Sequence, residues 1–331
     1  MRLIRRAALA ATFVSTFSML SAQTQSAHAQ AGVEDYPNRP VRLVIPFPAG
    51  GPSDVLGRIL GQHISEQWGK QIVIENRAGA NSAIAAQAVA RSAPDGYTWL
   101  MAMDMTLVLN VMKTTGVGYK VEDFALVSLT ALNTSILVVP ANGPKTVEEL
   151  IAKGRANNGK LNYGAGIIPT RLAGFLFTKL SGFEAAFVPY KGSPDVVVGL
   201  LDGSIDFAVD GIAPHLNLIK DGRLRALAKM NNRPLAAFPD LKPLHSFPGL
   251  SGIGEMSTWQ SIIVPAGTPQ GIITKIHKVI VAATEDPVVR QKLGVLGMYP
   301  IHNTPEEFAK LVKEELLRWG PIVKDSGIVL D

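Results

Sequence analysis

Apolar positions along the chain fall into two periods. Val41–Ile45, Ile72–Glu75 and Thr98–Met103 are short apolar runs and read as buried strands. The segments between them read as helices. From Ser53 or Asp54 onward, Val55, Leu56, Ile59, Leu60, Ile64 and Trp68 recur on one side at helical spacing, and Gly69 provides the stop. A second helix rich in Ala, Ile and Val follows the Asn76–Ser82 loop and runs to Arg91, and Pro94-Asp95-Gly96 is a turn. Strands that alternate with helical segments predict a parallel αβ sheet. Such sheets bind ligands at the carboxyl ends of their strands.

The same alternation resumes further along. Ser135–Val139 is an apolar strand ending at Pro140, read as a crossing into a second domain. Thr146-Val147-Glu148-Glu149 fits a capping box and opens a helix to about Asn157. Leu161–Tyr163 is a strand, and Gly164–Pro169 is a loop. Thr170 is expected to cap a helix carrying Leu172, Phe175, Leu176 and Leu180, which stops near Gly182. Strands are predicted at Phe187–Tyr190, Ile205–Val209 and Leu224–Ala228, with helices opening at Pro194 and Pro214. The Pro- and Gly-rich stretch 234–254 reads as loop. Trp259–Val264 reads as the strand crossing back, and helices begin at Thr268, Asp286 and Thr304. The expected division is residues 30–137 with 260–331 as one domain and 138–259 as the other.

Composition narrows the classes. The 331 residues are 47% hydrophobic and 18% charged, which suits globular domains with sizeable cores. There is no cysteine, so disulfides, thiolate metal sites and cysteine nucleophiles are excluded. Residues 1–29 have the form of a secretory signal peptide. They comprise a basic start, an apolar stretch from Ala7 to Leu20 and the small-residue cleavage pattern Ala27-His28-Ala29. The formal charge is +5, of which Arg2, Arg5 and Arg6 leave with the leader. The near-balanced remainder gives no support for nucleic-acid binding.

The expected chemistry is binding rather than catalysis. No metal and no cofactor are expected: the histidines lack metal-ligand spacing, and no phosphate-binding loop signature is present. Gly51-Pro52-Ser53-Asp54-Val55 fails the G-x-S-x-G pattern at Val55. Gly164-Ala165-Gly166 begins a dinucleotide fingerprint that Pro169 breaks. What survives is an anion site. The loops Pro46–Ser53 and Gly164–Thr170 each place backbone donors at a helix N-terminus. Facing each other across a cleft, they would hold one carboxylate, although both loops also make sense as tight αβ connections. Ser53 reads as a helix cap whose hydroxyl also reaches a ligand. Asp54 reads as dipole compensation or as a ligand contact. Asp104 and Asp210 sit at strand ends. Arg171, beside Thr170, is a candidate partner for a second carboxylate or an ordinary solvated residue.

The chain resembles the substrate-binding proteins of the tripartite tricarboxylate transporter family, the Bug or TctC-like receptors. The resemblance rests on an ordered set: YPNRPVRLVIPFPAGGPSDVLGRIL, IVIENRAGAN, PDGYTWLM, VPYKGSPDVVVGLLDGSID, IVPAGTP and DPVVRQKLGVLGM. It implies a type II periplasmic-binding-protein fold: two αβ domains, two crossover strands and a cleft between them. It also implies periplasmic capture of a small organic carboxylate, a dicarboxylate or aromatic acid, and delivery to membrane permease subunits by a monomer. The loops it brings to the ligand are Phe47–Asp54, with Phe47, Ala49, Gly50, Gly51, Ser53 and Asp54, and Gly166–Arg171, with Gly166, Ile168, Thr170 and Arg171. This chain departs from the family at Asn81-Ser82, often Gly-Gly, at Asp104 and at Arg171. With Asp210, these positions are expected to choose the ligand. Arg171 favours a dicarboxylate and Asp104 an amine or hydroxyl. A sensor that presents the bound carboxylate to a signalling partner would use the same site. An exported αβ hydrolase is the remaining alternative.

Overall fold

A computed structural model describes residues 33–113, 116–157 and 160–326. The expected signal peptide lies outside them. The first half builds β1 (Val41–Ile45), α1 (Pro52–Trp68), β2 (Ile72–Asn76), α2 (Ala83–Ala90) and β3 (Thr98–Met103), followed by β4 (Phe124–Pro140). Next come α3 (Val147–Asn157), β5 (Leu161–Ala165), α4 (Ile168–Ser181), β6 (Ala185–Pro189), α5 (Ser193–Asp202), β7 (Phe207–Gly211), α6 (Leu216–Lys220) and β8 (Leu224–Lys229). The chain closes with β9 (Ser257–Pro265), α7 (Gln270–Glu285), α8 (Pro287–Gly294), β10 (Met298–Pro300) and α9 (Pro305–Ser326).

The strands run in the order β2-β1-β3-β9-β4-β7-β5-β6, with β8 and β10 also paired to β4. Within each half the βα units are parallel, β1 with β2 and β3, and β5 with β6 and β7. The joining strands are antiparallel. β4 runs along β9 from Phe124 to Thr134, then pairs with β7 and β8 from Ser135 onward. It therefore belongs to both halves. β9 returns between β3 and β4. Sequence patterning sees only the Ser135–Val139 part of this strand. Ser128, Thr130, Asn133 and Thr134 break the apolar run, yet all are buried.

Each half has apolar packing on both faces of its sheet, around Leu43, Trp99 and Ile276 and around Leu100, Ile263 and Phe308 in the first. Tyr163, Phe177 and Phe207 and then Val138, Leu200 and Ile205 do the same in the second. A smaller cluster joins the halves: Phe47, Met103, Met105 and Leu109 meet Ile168 and Leu172. Burying such side chains contributes roughly 1.5–3 kcal/mol each, so this cluster holds the halves together in the form described.

Two predicted caps are corrected. Helix α1 starts at Pro52 behind Gly51, and Ser53 lies inside the first turn, its hydroxyl 3.6 Å from the Met103 sulfur. Helix α4 starts at Ile168 behind Ile167, and the Thr170 hydroxyl donates back to the Ile167 carbonyl at 3.0 Å. In both cases the proline, Pro52 or Pro169, sets the start, because it needs no N–H acceptor and has φ already fixed. The capping box at Thr304/Glu307 forms in both directions, Glu307 N–H to Thr304 Oγ1 at 3.2 Å and Thr304 N–H to Glu307 at 2.9 Å, whereas at Thr146 only the Glu149 N–H to Thr146 Oγ1 bond forms, at 3.1 Å, and the Glu149 carboxylate accepts from the Lys145 N–H. The helix expected from Pro214 is a 3-10 turn, Ala213–His215, running into the short α6.

Candidate functional site

The N-termini of α1, α4 and α5 converge where the halves meet. Gly51, Pro52 and Ser53 from the first, Ile167 and Thr170 from the second, and Gly192, Ser193 and Pro194 from the third line one chamber. None of these three helices has a side chain bonded across its N-cap. Free first-turn N–H groups and the helix dipole give such ends partial positive charge. Sequence reasoning finds the first two. The third carries the same sign, a glycine and a proline in Gly192-Ser193-Pro194, but by itself this pattern predicts only a helix start.

The halves touch through glycines. A Cβ at Gly192 would lie 3.0 Å from Pro48 Cδ, and one at Gly211 would lie 2.9 Å from Pro52 Cγ. Gly166 lets its loop pack on the Gly192 backbone, since a Cβ there would come within 2.6 Å of the Gly192 Cα. Gly50 has φ 81°, a left-handed turn that suits glycine. Its N–H donates to Asp54 at 2.9 Å. Asp54 also accepts from Arg58 Nε and from Asn76 Nδ2, both at 2.9 Å. Burial pushes the Asp54 carboxyl up, but the hydrogen bonds from Arg58, Gly50 and Asn76 outweigh it and hold it below the usual range. Asp54 thus fixes the shape of the loop, and neither it, Ala49 nor Gly50 lines the chamber.

Asp210 does line the chamber. One oxygen accepts from Ser193 Oγ and from the Gly211 N–H, each at 2.8 Å. The other lies 3.8 Å from His215 Nε2, and that nitrogen and that oxygen have no hydrogen-bond partner among the described residues. Burial raises the Asp210 carboxyl, against the nearby His215 and the two hydrogen bonds. Nothing local in the sequence singles out His215, because its contact with Asp210 comes from the turn after β7.

A second chamber adjoins the first, sharing Ser135, Thr170 and Thr258 as wall. Asp104 lies in it, at the end of β3 and the start of a π-helical turn, Met105–Leu109. Asp104 is 6% exposed, and its Oδ1 accepts from the Met105 N–H at 2.7 Å. Burial lifts its carboxyl to about 7, against that hydrogen bond and with a further push from Glu315. Helix α9 closes this chamber with Glu315, Arg318 and Trp319, and Trp259 and Glu255 complete it. Arg318 is paired with Glu315 at 3.2 Å. Nothing in the sequence marks α9 as a wall, since its pattern is that of an ordinary amphipathic helix. Ser135 and Thr258 carried a faint signal, as polar residues inside apolar strand runs.

The structure leaves several predicted residues outside both chambers. The Arg171 guanidinium sits 4.5 Å above the Phe187 ring, and Arg171 lines neither chamber, unlike its neighbour Thr170. Ile168 packs in the cluster between the halves. Asn81 and Ser82 have φ 52° and 77°, the region that favours glycine. They are held by Asn110 Nδ2, which donates to the Asn81 carbonyl at 2.6 Å, and by a 3.0 Å contact between the Ser82 and Thr106 hydroxyls. The positive φ explains physically why glycines suit these positions. Phe47, Gly51, Ser53, Thr170 and Asp210 are brought together in the first chamber, and Asp104 faces the second.

The family model described as "Tripartite tricarboxylate transporter family receptor" matches residues 56–328. The protein BugT of Bordetella pertussis is 30% identical over 311 residues, covering 91% of this chain and 94% of BugT. Among solved structures, Rpa4515 of R. palustris with adipate superposes with a TM-score of 0.83 at 29% identity, covering 89% of this chain and 99% of that one. MatC from Rhodopseudomonas palustris with bound malate gives 0.78 at 26% identity, covering 87% and 100%. The shared architecture is the two-domain αβ periplasmic-binding-protein fold. These relatives are binding proteins, not enzymes.

Proposed function

This chain belongs to the tripartite tricarboxylate transporter receptor family, and we propose that it captures a small organic carboxylate in the periplasm and hands it to membrane permease subunits. The observation that carries this reading is the convergence of three uncapped helix N-termini on one chamber. A carboxylate there accepts backbone N–H groups and meets the positive ends of the dipoles, at about 0.3–2 kcal/mol per helix end. The domains, 30–137 with 260–331 and 138–259, close over it by bending β4 and β9. The apolar cluster around Phe47 and Ile168 adds to the closed form. Adipate and malate, held by the two related structures, are carboxylates of the same general size. The Ser53 hydroxyl faces the Met103 sulfur rather than a histidine, which removes the basis for a hydrolase.

A thermal-shift panel of mono-, di- and tricarboxylates, aromatic acids and amino acids tests this. A ligand that binds only the folded state stabilises it by about 2.7 kcal/mol at 100-fold excess over Kd. A protein that responds to none of these acids would not be a carboxylate receptor.

A further inference from the structure

We propose that the chamber walled by Asp104, Glu315, Trp259 and Trp319 selects a ligand whose far end is a protonated amine, so that this receptor takes an ammonium carboxylate in preference to a dicarboxylate. The proposal rests on the carboxylate reading of the adjoining chamber.

The charge in this chamber is lopsided. Asp104, Glu255 and Glu315 supply three carboxylates against the single cation of Arg318. That guanidinium is already bonded to Glu315, and its side chain is 56% exposed. Glu315 also accepts from Trp319 Nε1 at 2.7 Å. A second ligand carboxylate here would therefore meet Asp104 unscreened, or would have to pull Arg318 from Glu315. Like charges at such separations disfavour each other strongly where water is excluded.

Asp104 supplies the independent sign of a missing partner. It is more than nine-tenths buried and lines the chamber, yet only one of its oxygens has a hydrogen-bond partner among the described residues, the Met105 N–H. Buried carboxylates are ordinarily paired. An ammonium group has donors and no acceptor, and so matches an oxygen left open. The Trp259 indole forms another part of the wall, and aromatic rings attract cations, whereas the Trp319 ring already carries the Arg318 guanidinium at 5.5 Å. The elevated Asp104 carboxyl agrees with this, since nothing cationic holds its charge in the unliganded protein. The chambers share a wall at Ser135, Thr170 and Thr258, so one elongated ligand can span both.

The test is calorimetry at pH 8 on the full mature chain. The probes are straight-chain monocarboxylates of three to six carbons, their ω-amino derivatives and the matching α,ω-dicarboxylates. The best ω-amino acid should bind at least about tenfold tighter than its matched mono- and dicarboxylate, a difference of about 1.4 kcal/mol. In Asp104→Asn the ratio of amino acid to monocarboxylate affinity should collapse to within about threefold. Because Asp104 is buried, Glu315→Gln gives a second reading, in which the same ratio should fall by a smaller factor. A dicarboxylate that binds tightest, or an amine advantage that survives both variants, would overturn the proposal. If no member of the three sets binds while another acid of the thermal-shift panel does, this inference fails and the carboxylate reading stands; if nothing in either binds, both fail. If the monocarboxylates and dicarboxylates bind without an amine advantage, only this inference fails.

Discussion

Gly211→Ala isolates the closing motion from the stability of the halves. Gly211 ends β7 in one half, and Pro52 begins α1 in the other. The added Cβ would stand 2.9 Å from Pro52 Cγ and 3.8 Å from Pro52 Cβ. Apolar carbon contacts settle near about 4 Å, so the Pro52 ring must withdraw by about 1 Å. That ring is rigid and anchored in a helix, so the strain is relieved by opening the cleft. Overpacking of this kind costs about 1–3 kcal/mol. Charged to the closed form alone, it reduces apparent affinity by roughly 5- to 150-fold. Calorimetry with the tightest carboxylate from the panel should show this loss, and small-angle scattering should show a larger unliganded radius. Urea unfolding without ligand should move by less than about 0.5 kcal/mol. Pro52→Ala removes the Cγ and leaves only the 3.8 Å contact, so the double variant should recover affinity beyond the sum of the single changes. Undiminished binding in Gly211→Ala, or an equal loss of unliganded stability, would refute closure through this contact.

Two further outcomes concern carboxylates. Asp54→Ala strands the Gly50 N–H and Asn76 Nδ2 and should cost about 1–3 kcal/mol in urea unfolding at pH 7. Because the Asp54 carboxyl is held below its ordinary 3.8, its contribution is present above that pH and is lost as pH falls through the folded value. The gap between variant and parent should therefore narrow below pH 4, and a gap constant with pH would contradict this role. Asp104 has the opposite sign. A carboxyl raised from 3.8 to about 7 by burial, with Glu315 adding, makes the unliganded protein lose stability as pH rises between those values. The loss is of the order of 4 kcal/mol. Asp104→Asn should flatten that slope and unfold later than the parent at pH 8. An unchanged slope between pH 4 and pH 8 would contradict the placement of Asp104.

The sequence makes the αβ framework and the first two ligand loops legible, because both are local. Apolar period places β1, α1 and β5, and glycine next to proline marks the loops. The two cap assignments failed because a hydroxyl was preferred over the adjacent proline, although Pro52 and Pro169 carried the stronger signal. Arg171 is a candidate ligand partner from its place beside Thr170 and in the loop that the resemblance brings to the ligand. One residue along a helix turns the side chain by about 100°, which carries Arg171 round to Phe187. The second chamber was least legible. Asp104 is legible at a strand end, but Glu315, Arg318 and Trp319 lie more than two hundred residues further on, and only the folded position of α9 brings them to it.

That late helix has a consequence for how the protein comes into being. Phe47 and the first ligand loop are made early. The central strand β9 and the wall at Glu315–Trp319 follow more than two hundred residues later. Until they join it, the first loop is half a site. The order of the sequence itself thus delays completion of both chambers until the first and second halves are in place.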